Sequence, residues 1–148
     1  MADPLAQECP CGCADYAQCC APYHHGLAAP DALALMEPLA IRLSRQNTPA
    51  NALVMMRSRY SAYVLGREDY LLATWHHSIR PANLDLAGDT SRWLGLEIKQ
   101  YAQQSENHAT VEFVARYKIA GRAHRLHELS RFVREDGRWF YVDGDFLA

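Results

Sequence analysis

The chain of 148 residues carries 15 Lys and Arg against 17 Asp and Glu, so its formal net charge is -2. That balance disfavours nucleic acid or an anionic membrane as a partner. With 49% hydrophobic and 22% charged residues, the composition is that of a globular domain rather than a disordered segment. There is no apolar run of about 18 residues and no secretory leader, so we expect a cytoplasmic protein that does not contact a membrane.

All five cysteines fall within residues 9–20. Cys9 and Cys11 form a C-x-C hook and Cys19-Cys20 a pair, and four thiolates are a preferred ligand set for tetrahedral zinc. Adjacent cysteines have Cα atoms about 3.8 Å apart, below the usual disulfide range of about 4.4–6.8 Å. A reducing cytoplasm also disfavours disulfides. We therefore predict a structural zinc ion bound by these four cysteines.

Three alternatives to this ligand set stay open. Cys13 is interpreted as a spare thiol, but it could exchange roles with Cys11. His24 or His25 could replace Cys20, since one imidazole often replaces a thiolate in zinc sites. The third alternative is that the cluster binds no metal.

Helical periodicity dominates the middle of the chain. The pattern predicts short helices over residues 31–37 and 39–45. A longer helix is predicted to begin at Thr48, whose hydroxyl would cap it, and to end at Gly66. A further helix is predicted over residues 68–76.

From Trp93 onward the sequence alternates between apolar and polar residues, as strands do. The Asp136-Gly137 pair is typical of a two-residue hairpin turn. Helices followed by antiparallel strands predict an α+β fold. The predicted strands cover residues 93–101, 110–120, 125–135 and 138–143.

The segment Cys9-Pro10-Cys11-Gly12, followed by Tyr16 and Cys19-Cys20, resembles the SEC-C motif, the zinc knuckle at the C-terminus of the SecA translocation ATPase. By position, Cys9, Cys11, Cys19 and Cys20 match the four metal ligands of the motif. The rest of the chain resembles the YchJ family, whose members join a SEC-C motif to a nuclear-transport-factor-2-like (NTF2-like) domain. The segments that carry the second resemblance are residues 53–63, 69–76, 93–96, 111–117, 127–132 and 137–144.

The resemblance implies two units, a knuckle over residues 1–29 and an NTF2-like domain over residues 30–148. In that fold, helices pack in the concave face of a curved antiparallel sheet, which forms a cone. The SecA knuckle is associated with binding a chaperone partner, so the resemblance implies protein contact through the knuckle. Nucleic acid is a poor partner for it, since residues 1–29 contain no Lys or Arg. A homodimer through the open sheet is a further hypothesis.

A cone would enclose a pocket, and titratable or aromatic residues are the candidates for its lining. Glu128 inside an apolar cone could act as a general base, unless Arg57 or Arg116 neutralises it. His76 could be an acid–base group, or it could stabilise the end of a helix. The complete set of pocket candidates is Arg57, Tyr60, Trp75, His76, Trp93, Arg116, Glu128 and Arg131.

We favour a zinc-binding protein that acts as a protein-interaction or small-ligand-binding module. The alternative is a small-molecule enzyme of the isomerase, dehydratase or hydrolase type that uses the cone pocket, with its catalytic residues unassigned. A cone filled by Trp75, Trp93, Phe113 and Tyr117 would exclude that alternative.

Overall fold

The computed structural model describes residues 8–12, 15–25, 49–84 and 86–147. The predicted helices over 31–37 and 39–45, and the predicted unit boundary at residues 29 and 30, lie outside these ranges. The described elements are two 3-10 helices (Tyr16–Gln18 and Leu86–Gly88), the helices α1 (Ala21–His25), α2 (Ala52–Leu65) and α3 (Glu68–Ala73), and the strands β1 (Arg92–Ser105), β2 (His108–Ile119), β3 (Arg122–Glu135) and β4 (Arg138–Phe146).

The four strands form one antiparallel sheet in the order β1-β2-β3-β4. Each strand is longer than the pattern predicts, because backbone pairing extends beyond the alternating residues at one end or both; β2, however, ends at Ile119 rather than at residue 120. The β3–β4 turn lies at Asp136-Gly137, as predicted, with φ angles of 54° and 78°. Positive φ at both central residues is the geometry of a type I′ turn, which matches the twist of the flanking strands. The predicted α+β architecture, with helices followed by one antiparallel sheet, is thus confirmed.

The inner face of the sheet carries the core. Val111, Phe113 and Ala115 alternate along β2 and are at most 4% exposed. Directly opposite them on β3 lie Ser130, Glu128 and Leu126. Helix α2 packs over this face through Met55, Met56 and Tyr60. Two polar side chains, Ser130 and Glu128, therefore lie among the apolar groups beneath α2.

Helix α2 begins three residues later than predicted at its cap. The Asn51 side chain accepts a hydrogen bond from the backbone N–H of Val54 at 2.9 Å, which satisfies a donor of the first turn. The expected cap, Thr48, lies outside the described residues. The C-terminal end is as predicted, because Gly66 adopts a left-handed conformation with φ 72°.

Helix α3 ends at Ala73, so the prediction of a helix to residue 76 was wrong. After it the chain is extended, and Trp75 forms an isolated parallel bridge with Tyr141. The N–H of His76 donates to the Tyr141 carbonyl at 2.7 Å, and the N–H of Tyr141 donates to the Thr74 carbonyl at 2.8 Å. Pairing with the free edge of β4 replaces the last helical turn. The interpretation of His76 as a stabiliser of a helix end is therefore wrong as well.

The cysteine segment packs onto the same core as the sheet. Cys9, Cys11 and Cys20 are 2–3% exposed and belong to one apolar cluster with Met55 and Phe113. None of the described helices is long and apolar enough to span a bilayer.

Phe132→Ala is expected to lower the free energy of unfolding by about 3–5 kcal/mol, because this ring is 1% exposed in the core. Phe146→Ala is the matched control on the neighbouring strand, where the ring is 75% exposed and the loss should stay below about 0.5 kcal/mol. Urea denaturation of both variants measures the difference. Equal losses would contradict this assignment of the core.

Candidate metal centre and concave cavity

Four cysteine sulfurs converge at the N-terminal end of the described chain. The Sγ–Sγ distances are 3.5 Å for Cys9–Cys11, 3.5 Å for Cys11–Cys19, 3.8 Å for Cys11–Cys20 and 3.9 Å for Cys19–Cys20. A tetrahedron with metal–sulfur bonds of about 2.3 Å has edges of about 3.8 Å. The four sulfurs, all within 4.8 Å of one another, therefore fit around one metal ion.

Local backbone geometry produces this convergence. The N–H of Gly12 donates to the Cys9 carbonyl at 3.0 Å, which turns the hook so that its two sulfurs point the same way. Asp15 caps the Tyr16–Gln18 helix, and the N–H of Cys19 closes it onto the Tyr16 carbonyl at 3.0 Å. That single turn brings the second pair of cysteines back to the first.

Helix α2 supports the cluster from below. The buried Ser61 hydroxyl lies 3.3 Å from Cys20 Sγ, to which it donates, and 3.4 Å from Cys9 Sγ. Arg57 donates from Nη1 to the Cys11 carbonyl at 3.3 Å. Hydrogen bonds of this kind orient metal ligands, and their loss usually weakens metal binding.

His24 lies under the knuckle rather than in the sulfur cluster. Its ring is fully buried, and Nε2 donates to the Ser58 carbonyl at 2.8 Å. Nδ1 therefore accepts from the Tyr16 hydroxyl at 2.6 Å. Both ring nitrogens are used in this way, so His24 does not take the place of Cys20. Cys13 and the side chain of His25 lie outside the described residues.

The cluster places ionisable thiols close together in a largely buried position. The adjacent Cys11 sulfur and burial raise the pKa of the Cys20 thiol well above its usual range. Thiolates so close together repel one another and lose hydration, so they need a compensating cation. A bound metal ion would supply it and would release the thiol protons.

A cavity of about 340 Å³ lies between α2 and the inner face of the sheet. This volume falls in the range of about 300–1,000 Å³ that is typical of small-molecule sites. Four of the predicted pocket residues line it, namely Tyr60, Trp75, Trp93 and Glu128. The cone is therefore not filled by its aromatic residues.

The other four pocket candidates lie elsewhere, engaged with neighbours of their own. Arg57 contacts the knuckle, as described above. His76 pairs with Glu135 through Nε2 at 2.5 Å. The remaining two are half-exposed on the outer face of the sheet, where Arg116 lies 3.4 Å from Glu97, and Arg131 pairs with Asp143 at 2.6 Å and Asp145 at 2.7 Å.

Glu128 is held inside the cavity by hydroxyl groups. Ser130 Oγ and the Tyr141 hydroxyl, the latter at 3.3 Å, both donate to Glu128 Oε2. Neither Arg57 nor Arg116 neutralises it, contrary to the hypothesis from sequence. Burial and the nearby Glu128 carboxylate raise the pKa of the Tyr141 hydroxyl, which keeps it protonated as a donor.

Arg59, which is not among the pocket candidates from sequence, lines the cavity and is 2% exposed. Nη1 donates to the Leu71 carbonyl and to Thr74 Oγ1, each at 2.8 Å. The guanidinium carbon lies 4.5 Å from the centre of the Tyr141 ring and 5.2 Å from that of Trp75. Helical spacing could have identified this residue, because the α2 side chains that line the cavity recur at i, i+3, i+4 and i+7: Met56, Arg59, Tyr60 and Tyr63.

Gly144→Ala is expected to lower the free energy of unfolding by about 1–3 kcal/mol through overpacking. The added Cβ would lie 2.5 Å from Glu128 Oε2 and 2.9 Å from its Cγ, so the carboxylate must leave its two hydroxyl donors. Thermal or urea denaturation measures the loss.

Gly95→Ala is the control for that substitution, since a Cβ there meets nothing within 4 Å. The Gly144→Ala penalty should also shrink when Glu128→Ala has removed the obstruction. An unchanged penalty in the double variant would contradict the proposed contact.

A family model described as the YchJ middle NTF2-like domain matches residues 51–144, which span α2, α3 and most of the sheet. A UPF0225 protein of Ralstonia nicotianae is 49% identical over 148 residues, covering 93% of this chain and 90% of the relative. A UPF0225 protein of Bordetella pertussis is 51% identical over 141 residues, covering 93% and 91%.

Two solved structures have the same overall fold. The solution structure of a SEC-C motif containing protein from Rhodopseudomonas palustris aligns with a TM-score of 0.71 at 28% identity, covering 96% of this chain and all of that one. The crystal structure of a SEC-C motif containing protein from Psychrobacter arcticus aligns with a TM-score of 0.72 at 27% identity, covering 96% and 84%. By its matched domain and its relatives, this chain belongs to the YchJ family.

Proposed function

We propose that the chain is a zinc-stabilised protein that binds a small molecule in its concave cavity. The observation that carries this proposal is a difference between the cysteine cluster and the concave cavity. Four sulfurs lie close enough together to fill the coordination shell of one metal ion, whereas the cavity is lined by polar groups that border open space. We therefore assign ligand binding to the cavity and structural support of the knuckle to the metal.

The donor set supports zinc as the metal. Four sulfurs with edges of 3.5–3.9 Å suit a tetrahedral d¹⁰ ion with soft ligands. With all four positions filled by protein, zinc there would have no place for water or substrate and would act by holding the knuckle together.

The cavity lining supports a ligand of modest size with an apolar body. Trp75, Trp93 and Phe113 supply apolar walls, and a few polar groups converge among them, including Arg59 and Glu128. Pockets that bind small molecules have this composition, an apolar surface with a small number of placed polar groups.

An enzyme that uses the cavity is the second candidate. Glu128, with Ser130 and Tyr141 beside it, is placed as a proton-transfer group of the isomerase, dehydratase or hydrolase type would be. Protein contact through the knuckle and dimerisation through the sheet stay predictions that derive from the family resemblance and the open sheet.

Protein purified under reducing conditions is expected to contain one zinc ion per chain, measured by inductively coupled plasma mass spectrometry. The double variant Cys9→Ser/Cys20→Ser should lose the metal, because two of its four ligands are gone. Cys13→Ser is the matched control and should keep it. Metal loss in the control, or metal-free wild-type protein with the knuckle still ordered, would overturn the zinc assignment.

The neutral phenol 4-methylphenol is expected to shift the indole N–H resonances of Trp75 and Trp93 in NMR titrations of the full chain. Ala115→Leu should abolish the shifts, because Ala115 lines the cavity and a larger side chain fills it. Ala102→Leu, on β1 and outside the lining, is the control. Shifts that persist in Ala115→Leu would mean that the phenol binds elsewhere, and the cavity proposal would fail.

A further inference from the structure

Arg59 is a buried cation without a carboxylate partner among the described residues. Nη1 donates both of its hydrogen bonds to neutral oxygens, and none of the ion pairs in the described chain includes Arg59. A buried guanidinium ordinarily pairs with an acid, since an uncompensated buried charge is unfavourable. Desolvation accordingly lowers the pKa of Arg59.

The remaining donors of Arg59 lie beside the cavity, next to the hydroxyl group of Tyr63, which lines it too. Within the described chain, His127 Nδ1 is the single enclosed side-chain nitrogen or oxygen that lacks a hydrogen-bond partner. The Nε and Nη2 atoms of Arg59 are therefore not sealed in the protein, although the residue as a whole is only 2% exposed. The space that they reach is the cavity, whose wall Arg59 forms. These are donors in the fork geometry that matches a carboxylate.

The carboxylate of Glu128 lines the same cavity at a different point. The Arg59 guanidinium lies over the face of the Tyr141 ring, whereas Glu128 accepts from the hydroxyl group of the same ring. Arg59 and Glu128 form no ion pair with each other. The cavity thus has a cationic pole and an anionic pole with aromatic walls between them.

We propose that the cavity selects small aromatic carboxylates that carry a ring hydroxyl, with the ligand carboxylate on Arg59, the ring between the aromatic walls and the hydroxyl donating to Glu128. This inference rests on the proposed function and names its ligand class. The two poles explain why both termini of the ligand must be polar. The aromatic side chains in the walls, Trp75, Trp93 and Phe113, favour a ligand whose middle is an aromatic ring that can pack against them.

Matched probes test the inference in wild-type protein. Affinities for 4-hydroxyphenylacetate, phenylacetate and 4-methylphenol are measured by NMR titration and calorimetry. The first should bind at least tenfold more tightly than either of the others, since phenylacetate lacks the hydroxyl and 4-methylphenol lacks the carboxylate. Equal binding of 4-hydroxyphenylacetate and 4-methylphenol in the cavity would overturn the inference but leave the proposed function standing. Binding of none of the three would overturn both.

Variants of Arg59 and Glu128 test which residue contacts each end of the ligand. Arg59→Lys keeps the positive charge but loses the bidentate guanidinium, and Arg59→Met removes both. The preference for 4-hydroxyphenylacetate over 4-methylphenol should therefore weaken in Arg59→Lys and vanish in Arg59→Met. Glu128→Gln should remove the preference for the ring hydroxyl and leave the carboxylate preference in place. Arg116→Met, an exposed arginine outside the cavity, is the control. If Arg59→Met does not fold, an unchanged carboxylate preference in Arg59→Lys together with an unchanged hydroxyl preference in Glu128→Gln overturns the inference.

Discussion

The position of α2 between the cysteine knuckle and the sheet is the constraint on which the rest of the structure depends. Successive residues of a helix point about 100° apart, so one helix can serve two sites on different sides. Ser61 points to the sulfurs and Arg59 to the cavity. Because α2 is one rigid element, the placement of the knuckle and the shape of the cavity are set by the same packing.

The knuckle has little apolar surface of its own, and its order comes from two external sources. One is burial against the main core, since Cys9, Cys11 and Cys20 share a cluster with α2 and the sheet. The other would be the free energy of metal binding at the four sulfurs, which can supply about 10–16 kcal/mol in small zinc domains. Packing alone can also hold part of the segment, because His24 is fully buried and bridges Tyr16 and the backbone of Ser58.

The interior beneath α2 is more polar than stability requires. Arg59, Glu128 and Ser130 are all buried there, where apolar side chains of similar size would avoid the desolvation cost. The hydroxyl and carbonyl partners of these groups limit that cost without neutralising the charges. Local departures of this kind from a purely apolar core are characteristic of functional sites.

Much of the fold and one of the two sites could be predicted from the sequence alone. Alternation along β2 and the Asp136-Gly137 turn predicted the antiparallel sheet, since strand periodicity and turn chemistry are local properties. The cysteine cluster could be predicted for the same reason. Its four cysteines lie within 12 residues of one another along the chain, and a single helical turn at Tyr16–Gln18 is enough to bring the two pairs together.

The cavity was decided by tertiary structure. Its lining combines α2, the segment after α3 and the inner face of the sheet, and no local pattern reports how these surfaces meet. Arg116 and Arg131 carry the right charge but lie on the outer face of the sheet, where aspartates and glutamates pair with them. Trp75 reached the cavity because its backbone pairs with the edge of β4, an interaction between residues 66 positions apart. The sequence by itself determined the strands, the turn and the cysteine cluster, whereas the buried charges beneath α2 came to line one cavity only when packing brought distant segments together.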